Sequence, residues 1–154
     1  MKKKKTYILL SVIITFLYII NFTDLNSIIF TNCKDIIYEN WDINLTKTCK
    51  EIYHTTSPSG IHGDGERYHV FEYDDKEIIN NTFHWKNSTS NNIIAEIDNI
   101  IEDLKKSDNN FKDEYMINLK KDYKYIEKKD IDSSKIYIIN IESKNRIYII
   151  EDIY

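Results

Sequence analysis

Alanine is almost missing from this chain: Ala95 is the only one among 154 residues. That scarcity excludes the Ala-x-Ala pattern that signal peptidase needs, and Ser27 is the nearest substitute near the N-terminus. Proline and glycine are nearly as rare. Pro58 and all three glycines, Gly60, Gly63 and Gly65, fall together between Ser57 and Gly65. Their concentration predicts one loop that needs positive φ at several positions. Cysteine is limited to Cys33 and Cys49, without the paired spacing of a zinc site. On the outer side of a membrane these two can pair and close a loop of about 17 residues, worth about 3 kcal/mol in the chain-entropy model. Two separate thiols are the alternative.

Basic charge is short beyond the first residues. The 21 basic residues include Lys2 to Lys5, and all 25 acids lie beyond Phe22, so the remainder carries 17 basic residues against 25 acids, a net of −8. Such a domain is repelled by nucleic acid phosphates and by an anionic membrane surface. Nucleic acid is therefore not an expected partner. No Walker loop, nucleophile elbow or His-Glu-x-x-His stands in the sequence, and no cofactor is expected.

What is abundant is Ile, Lys, Asn and Tyr, with 12 tyrosines. This bias fits an AT-rich genome, so the number of Lys or Asn carries no functional weight. Hydrophobic content of 42% and charged content of 30% are those of a folded chain. The length suits one domain. The roughly 130 residues left after an N-terminal segment can bury a core without staples.

That segment is the strongest signal. Lys2 to Lys5 precede Tyr7 to Phe22, and the next charge is Asp24. Sixteen helical residues span about 24 Å, slightly short of a hydrocarbon core of about 30 Å. Snorkelling lysines cover the difference. The positive-inside rule holds the lysines in the cytoplasm and sends the rest outward. The expected organisation is a signal anchor or transmembrane helix over 1–23, contacting the membrane through 6–22, then a stalk over 24–33. An extracytoplasmic domain follows over 34–154. The expected location is the cell membrane, single-pass, with the N-terminus inside. Cleavage and secretion, or a buried core helix, are the competing readings. No small-residue box precedes Cys33 as lipid attachment requires: Ile28-Ile-Phe-Thr-Asn32 stands there. Four sequons, at Asn21, Asn44, Asn80 and Asn87, stand against about two that chance supplies in so Asn-rich a chain, and no glycosylation is read from them.

The domain reads as α+β. A short helix is expected over 34–40, and strands over 48–56 and 66–73 flank the glycine loop. Asp74 or Asp75 is placed to cap a helix over 76–81. Ile93, Ile94, Ile97, Ile100, Ile101 and Leu104 make one apolar stripe, the clearest helix of the chain, over 92–106. Strands follow over 123–128, 135–142 and 146–152, the last two a hairpin about the turn Ser143-Lys-Asn145. The expected fold is a ββαβββ-like sheet packed on helix 92–106, with much of both sheet faces covered.

The one stretch that suggests chemistry is Gly60-Ile-His-Gly-Asp-Gly-Glu66. If Thr56 pairs with Arg67, His54 lies opposite His69. Then His62, Asp64, Glu66, His54 and His69 form a candidate ligand-contact set, shaped by Gly60, Gly63 and Gly65. Three imidazoles and a carboxylate are donors for a divalent metal, with a water as nucleophile. The alternative is that the glycines shape a turn, Asp64 bonds backbone N–H groups, and the histidines are surface residues of the strands. His84-Trp85 reads as an aromatic contact or as a plug between helix and sheet. Asp74, Asp75 and Glu77 read as paired carboxylates or as helix caps.

Ser57-Pro-Ser-Gly-Ile-His-Gly-Asp-Gly-Glu66, with the aromatic strand that follows, resembles a group of small uncharacterised envelope proteins of Gram-positive bacteria. These are lipoproteins or membrane-anchored, with an Asp-Thr-His-Gly-Gly-Phe-His-Gly-Asp-Gly-like loop, a short helix, a Trp and a Tyr-rich closing hairpin. The matching features here are Gly60 to Gly65, Trp85 and Ile136 to Tyr154, within residues 41–154. Pro58-Ser59 stands where the group's first His-Gly falls, which favours a structural loop. The resemblance implies location and fold but no activity. The leading expectation is a non-catalytic envelope module that binds a protein partner. The alternatives are a metal-dependent hydrolase using the loop, and a secreted immunity-type or inhibitor protein.

Overall fold

The computed structural model describes residues 32–58, 64–87, 91–108, 110–119, 123–141 and 143–154. The expected membrane segment, most of the stalk, and Gly60, His62 and Gly63 lie outside these. Among the described residues, no helix is long and apolar enough to cross a membrane. The chain divides into two units, Met1–Asn44 and Leu45–Tyr154.

The first unit holds α1 (Cys33–Trp41). Asn32 caps it: its side chain accepts from the Lys34 N–H at 3.1 Å, satisfying a donor that the first turn leaves open. The helix ends at Asp42, whose φ of 50° turns the chain into the left-handed region, one of the few residue types that tolerates it. Ile37 and Trp41 are its buried residues. The sequence places this helix at the start of the domain; the division between the two units falls after it.

The second unit is α+β, as expected. Its strands are β1 (Lys50–Thr56), β2 (Gly65–Glu72), β3 (Lys86–Asn87), β4 (Tyr123–Lys129), β5 (Lys135–Ile141) and β6 (Arg146–Ile153), with helices α2 (Lys76–Thr82) and α3 (Asn91–Ser107) between. They form one antiparallel sheet in the order β1-β2-β6-β5-β4-β3. The β5–β6 hairpin appears where the apolar runs place it. The two-residue β3, paired to Tyr125 and Lys124, has no such run and is an addition to the expected five strands.

The stripe of α3 buries Ile93, Ile97, Ile100, Ile101 and Leu104 against Tyr68, Val70, Tyr137, Ile139, Tyr148 and Ile150 of the sheet. Strand alternation sends Phe71, Ile136, Ile138, Ile147 and Ile149 to the other face. Those five are also fully buried, so the central strands are covered on both faces, as their unbroken apolar runs imply.

Local chemistry sets the connections. Asp75 caps α2 by accepting from the Glu77 N–H at 2.9 Å, the capping role rather than a carboxylate pair. The Trp85 indole N–H donates to the Ile79 carbonyl at 3.1 Å, and its ring lies 5.1 Å from that of Phe83. The mouth of the glycine loop is pinned twice. The Ser57 N–H donates to the Glu66 carbonyl at 2.9 Å, and the Glu66 N–H to the Ser57 hydroxyl at 2.8 Å. Gly65 has φ of 135°, a value that only glycine adopts without strain.

Candidate functional site

β1 and β2 pair in the register that sets Thr56 against Arg67 and His54 against His69. The two imidazole centroids are 6.3 Å apart. The register shifts between Glu51 and Tyr53. In a regular strand residues three apart point to opposite faces. The irregularity puts Glu51 on the same face as His54, where its carboxylate lies 2.6 Å from His69 Nδ1 and 4.0 Å from His54 Nδ1.

The other ring nitrogen of His69 faces β6. Its Nε2 is 3.5 Å from Glu151, and the same carboxylate lies 4.0 Å from the Arg67 guanidinium. Glu151 pairs with Arg67 across the β2–β6 ladder, which places both on the His69 face. The Glu151 side chain is 1% exposed and that of His69 9%, whereas His54 is 65% exposed. Burial pushes the His69 pKa down, but the Glu151 and Glu51 carboxylates outweigh it and hold the imidazole above its ordinary value. Each ring nitrogen of His69 thus faces a carboxylate, an arrangement that favours the protonated imidazole. When His69 is protonated, it and Arg67 balance the Glu51 and Glu151 carboxylates, as buried charge requires.

Each ring nitrogen of His69 is engaged by a carboxylate, so its use as a metal ligand or as a base requires one of these contacts to open. Of the five residues expected at the site, His54 and His69 come together. Glu66 lies on the opposite face of β2 with Tyr68, paired with Asp152. Asp152 is shifted upward by its burial and by the Glu66 charge. Asp64 precedes β2, and its buried Oδ1 has no hydrogen-bond partner among the described residues. His62 is outside the described residues, so its place relative to these is not part of the geometry. Cys33 and Cys49 are thiols here and not a disulfide; Cys49 Sγ donates to the Thr46 carbonyl at 3.1 Å.

Glu51, Arg67 and Glu151 are the members that sequence reasoning missed. One signal was present for Glu151: it is a charge that continues the alternation Ile147, Ile149 on the face opposite the helix. Glu51 gave none, because its alternation is reset by the irregularity.

The described residues of the second unit also form open spaces. One, open and polar with a volume of about 510 Å³, is lined by His54, Thr55, Thr56, Ser57, Pro58 and Asp108 beside the glycine loop. There Thr55 donates to Asp108 at 2.7 Å, tying β1 to the end of α3. Thr55 and the Asn110 N–H hold the Asp108 carboxyl below its usual range. Another is a groove of about 560 Å³ along α3, walled by Ile94, Asp98, Ile101 and Glu102 on the helix and by Met116 and Ile117 opposite. Comparison with protein-family models, curated proteins and solved structures returned no match for this chain.

Proposed function

We propose that this chain is a membrane-tethered, outward-facing module of the bacterial envelope that binds a protein partner and carries out no chemistry of its own. The observation that carries the non-catalytic part is the engagement of His69. The histidine best placed for catalysis has a carboxylate at each ring nitrogen, so its charge is spent on joining β1, β2 and β6. Tethering rests on Lys2 to Lys5 and the uncharged run that follows them. The resemblance of the glycine loop to that of Gram-positive envelope proteins agrees with this location.

A metal-dependent hydrolase is the second reading, favoured by the adjacency of His54 and His69 beside the loop that holds His62. It requires His69 to give up a carboxylate and a proton before it ligates. The secreted immunity-type alternative requires cleavage behind the apolar segment.

Protease shaving of intact cells, with N-terminal sequencing of the membrane-bound protein, tests the tether. The expected result is a domain digested from outside and the lysine cluster still attached. A domain protected in intact cells, or a mature chain beginning beyond residue 23, refutes it.

A further inference from the structure

The groove along α3 is built differently from the rest of the helix surface. The core stripe of α3 runs through Ile93, Ile97, Ile100, Ile101 and Leu104, with Ile94 packed at its edge. Ile94 and the Ile101 end of the stripe meet the segment Met116 to Leu119 across the groove. Ile101 and Ile117 are buried in its floor, while Met116 is 39% exposed on its rim. Methionine is the side chain best suited to repack around different apolar partners. From Ile94 to Lys105 the groove follows α3 for about 16 Å, room for a few turns of helix or a short extended strand.

Among the described residues, the fully exposed charges of the groove are of one sign. Asp98 and Glu102 stand one helical turn apart, both exposed. The cation among the described residues of the groove, Lys105, is turned to Asp113 at 3.3 Å and to Met116 Sδ at 3.1 Å. That leaves the Asp98–Glu102 wall as the acidic edge of an apolar trough.

Resting on the reading of this chain as a binding module, we infer that the groove docks a cationic amphipathic segment of a partner protein. Apolar side chains of that segment fill the space between Ile94, Ile101 and Met116, and its Lys or Arg side chains meet Asp98 and Glu102. Charge complementarity selects this occupant. An anionic lipid surface meets the wrong sign of charge, and a second copy brings Asp98 and Glu102 against a like surface.

The test uses the full chain in its native membrane with a photo-cross-linking side chain at position 116, and in parallel chains at the exposed positions 54 and 74. Adducts are identified by mass spectrometry. The expected result is one adduct at 116 to a basic, amphipathic protein segment. The double variant Asp98→Lys/Glu102→Lys should reduce its yield at least about tenfold, the loss of about 1.4 kcal/mol or more. The equal charge change Asp74→Lys/Glu77→Lys should leave it unchanged. A lipid adduct, an adduct to this chain itself or to an acidic segment, or equal loss in both double variants overturns the inference. Adducts at 54 or 74 with none at 116 overturn the groove but leave the binding module standing. No adduct at any position overturns both.

Discussion

Removal of Glu151 tests the account of the buried cluster. Its carboxylate is 1% exposed and faces His69 Nε2 at 3.5 Å and Arg67 at 4.0 Å. Glu151→Leu strands part of the charge on His69 in a dry site, and His69→Leu does the same to Glu151. Breaking a buried pair from one side costs about 3–5 kcal/mol. Replacing both partners by apolar residues is often neutral, and here Arg67 and Glu51 keep partial access to water, with side chains 29% and 24% exposed. The double variant His69→Leu/Glu151→Leu should therefore be more stable than either single variant, with a coupling of about 2–3 kcal/mol. Urea unfolding of wild type, both singles and the double measures this cycle. Costs that simply add refute the pairing. The pH dependence is fixed by the upward shift of His69. A raised pKa means that the folded state holds the proton more tightly, so its contribution is complete below the unfolded value of about 6.5 and is lost as pH rises through the folded value. The stability gap between wild type and His69→Leu should thus narrow as pH rises above about 6.5. A gap that widens contradicts an imidazolium at this position.

Gly65→Ala places a Cβ at φ of 135° and should cost on the order of 1–3 kcal/mol, seen as a lower urea midpoint with an unchanged slope; an unaltered midpoint shows that the loop relaxes without strain. Asp75→Ala removes the acceptor of the Glu77 N–H and should cost about 1 kcal/mol. Native-state hydrogen exchange should then quicken in α2 before it does in α3, and uniform quickening refutes a local cap.

Much of the fold is legible because its signals are local. The Ile93-to-Leu104 stripe fixes α3, the apolar runs on either side of Ser143 fix the β5–β6 hairpin, and the glycine cluster marks the β1–β2 connection without naming its register. The sheet order is not local. β6 sits between β2 and β5 because its alternate faces are both apolar, a pattern that permits a central place but does not name the neighbours. The short β3 follows from its position beside Tyr125 rather than from its own two residues, Lys86 and Asn87. The site was half legible for the same reason. His54 and His69 face each other through the β1–β2 register, which sets Thr56 against Arg67. Glu151 reaches His69 only through the long-range pairing of β2 with β6, and Glu51 only through a one-residue irregularity that reverses its face. Glu66 was expected beside the histidines on grounds of sequence proximity, but strand alternation sends it to the other face.

Metal content of the purified full chain, measured together with its melting temperature with and without chelator, tests the central claim. A binding module whose His69 is held by two carboxylates should carry no stoichiometric zinc, manganese or calcium, and chelator should leave the melting temperature unchanged. A stoichiometric metal whose removal lowers the melting temperature, and which His62→Ala abolishes, contradicts the account and makes the glycine loop a metal centre.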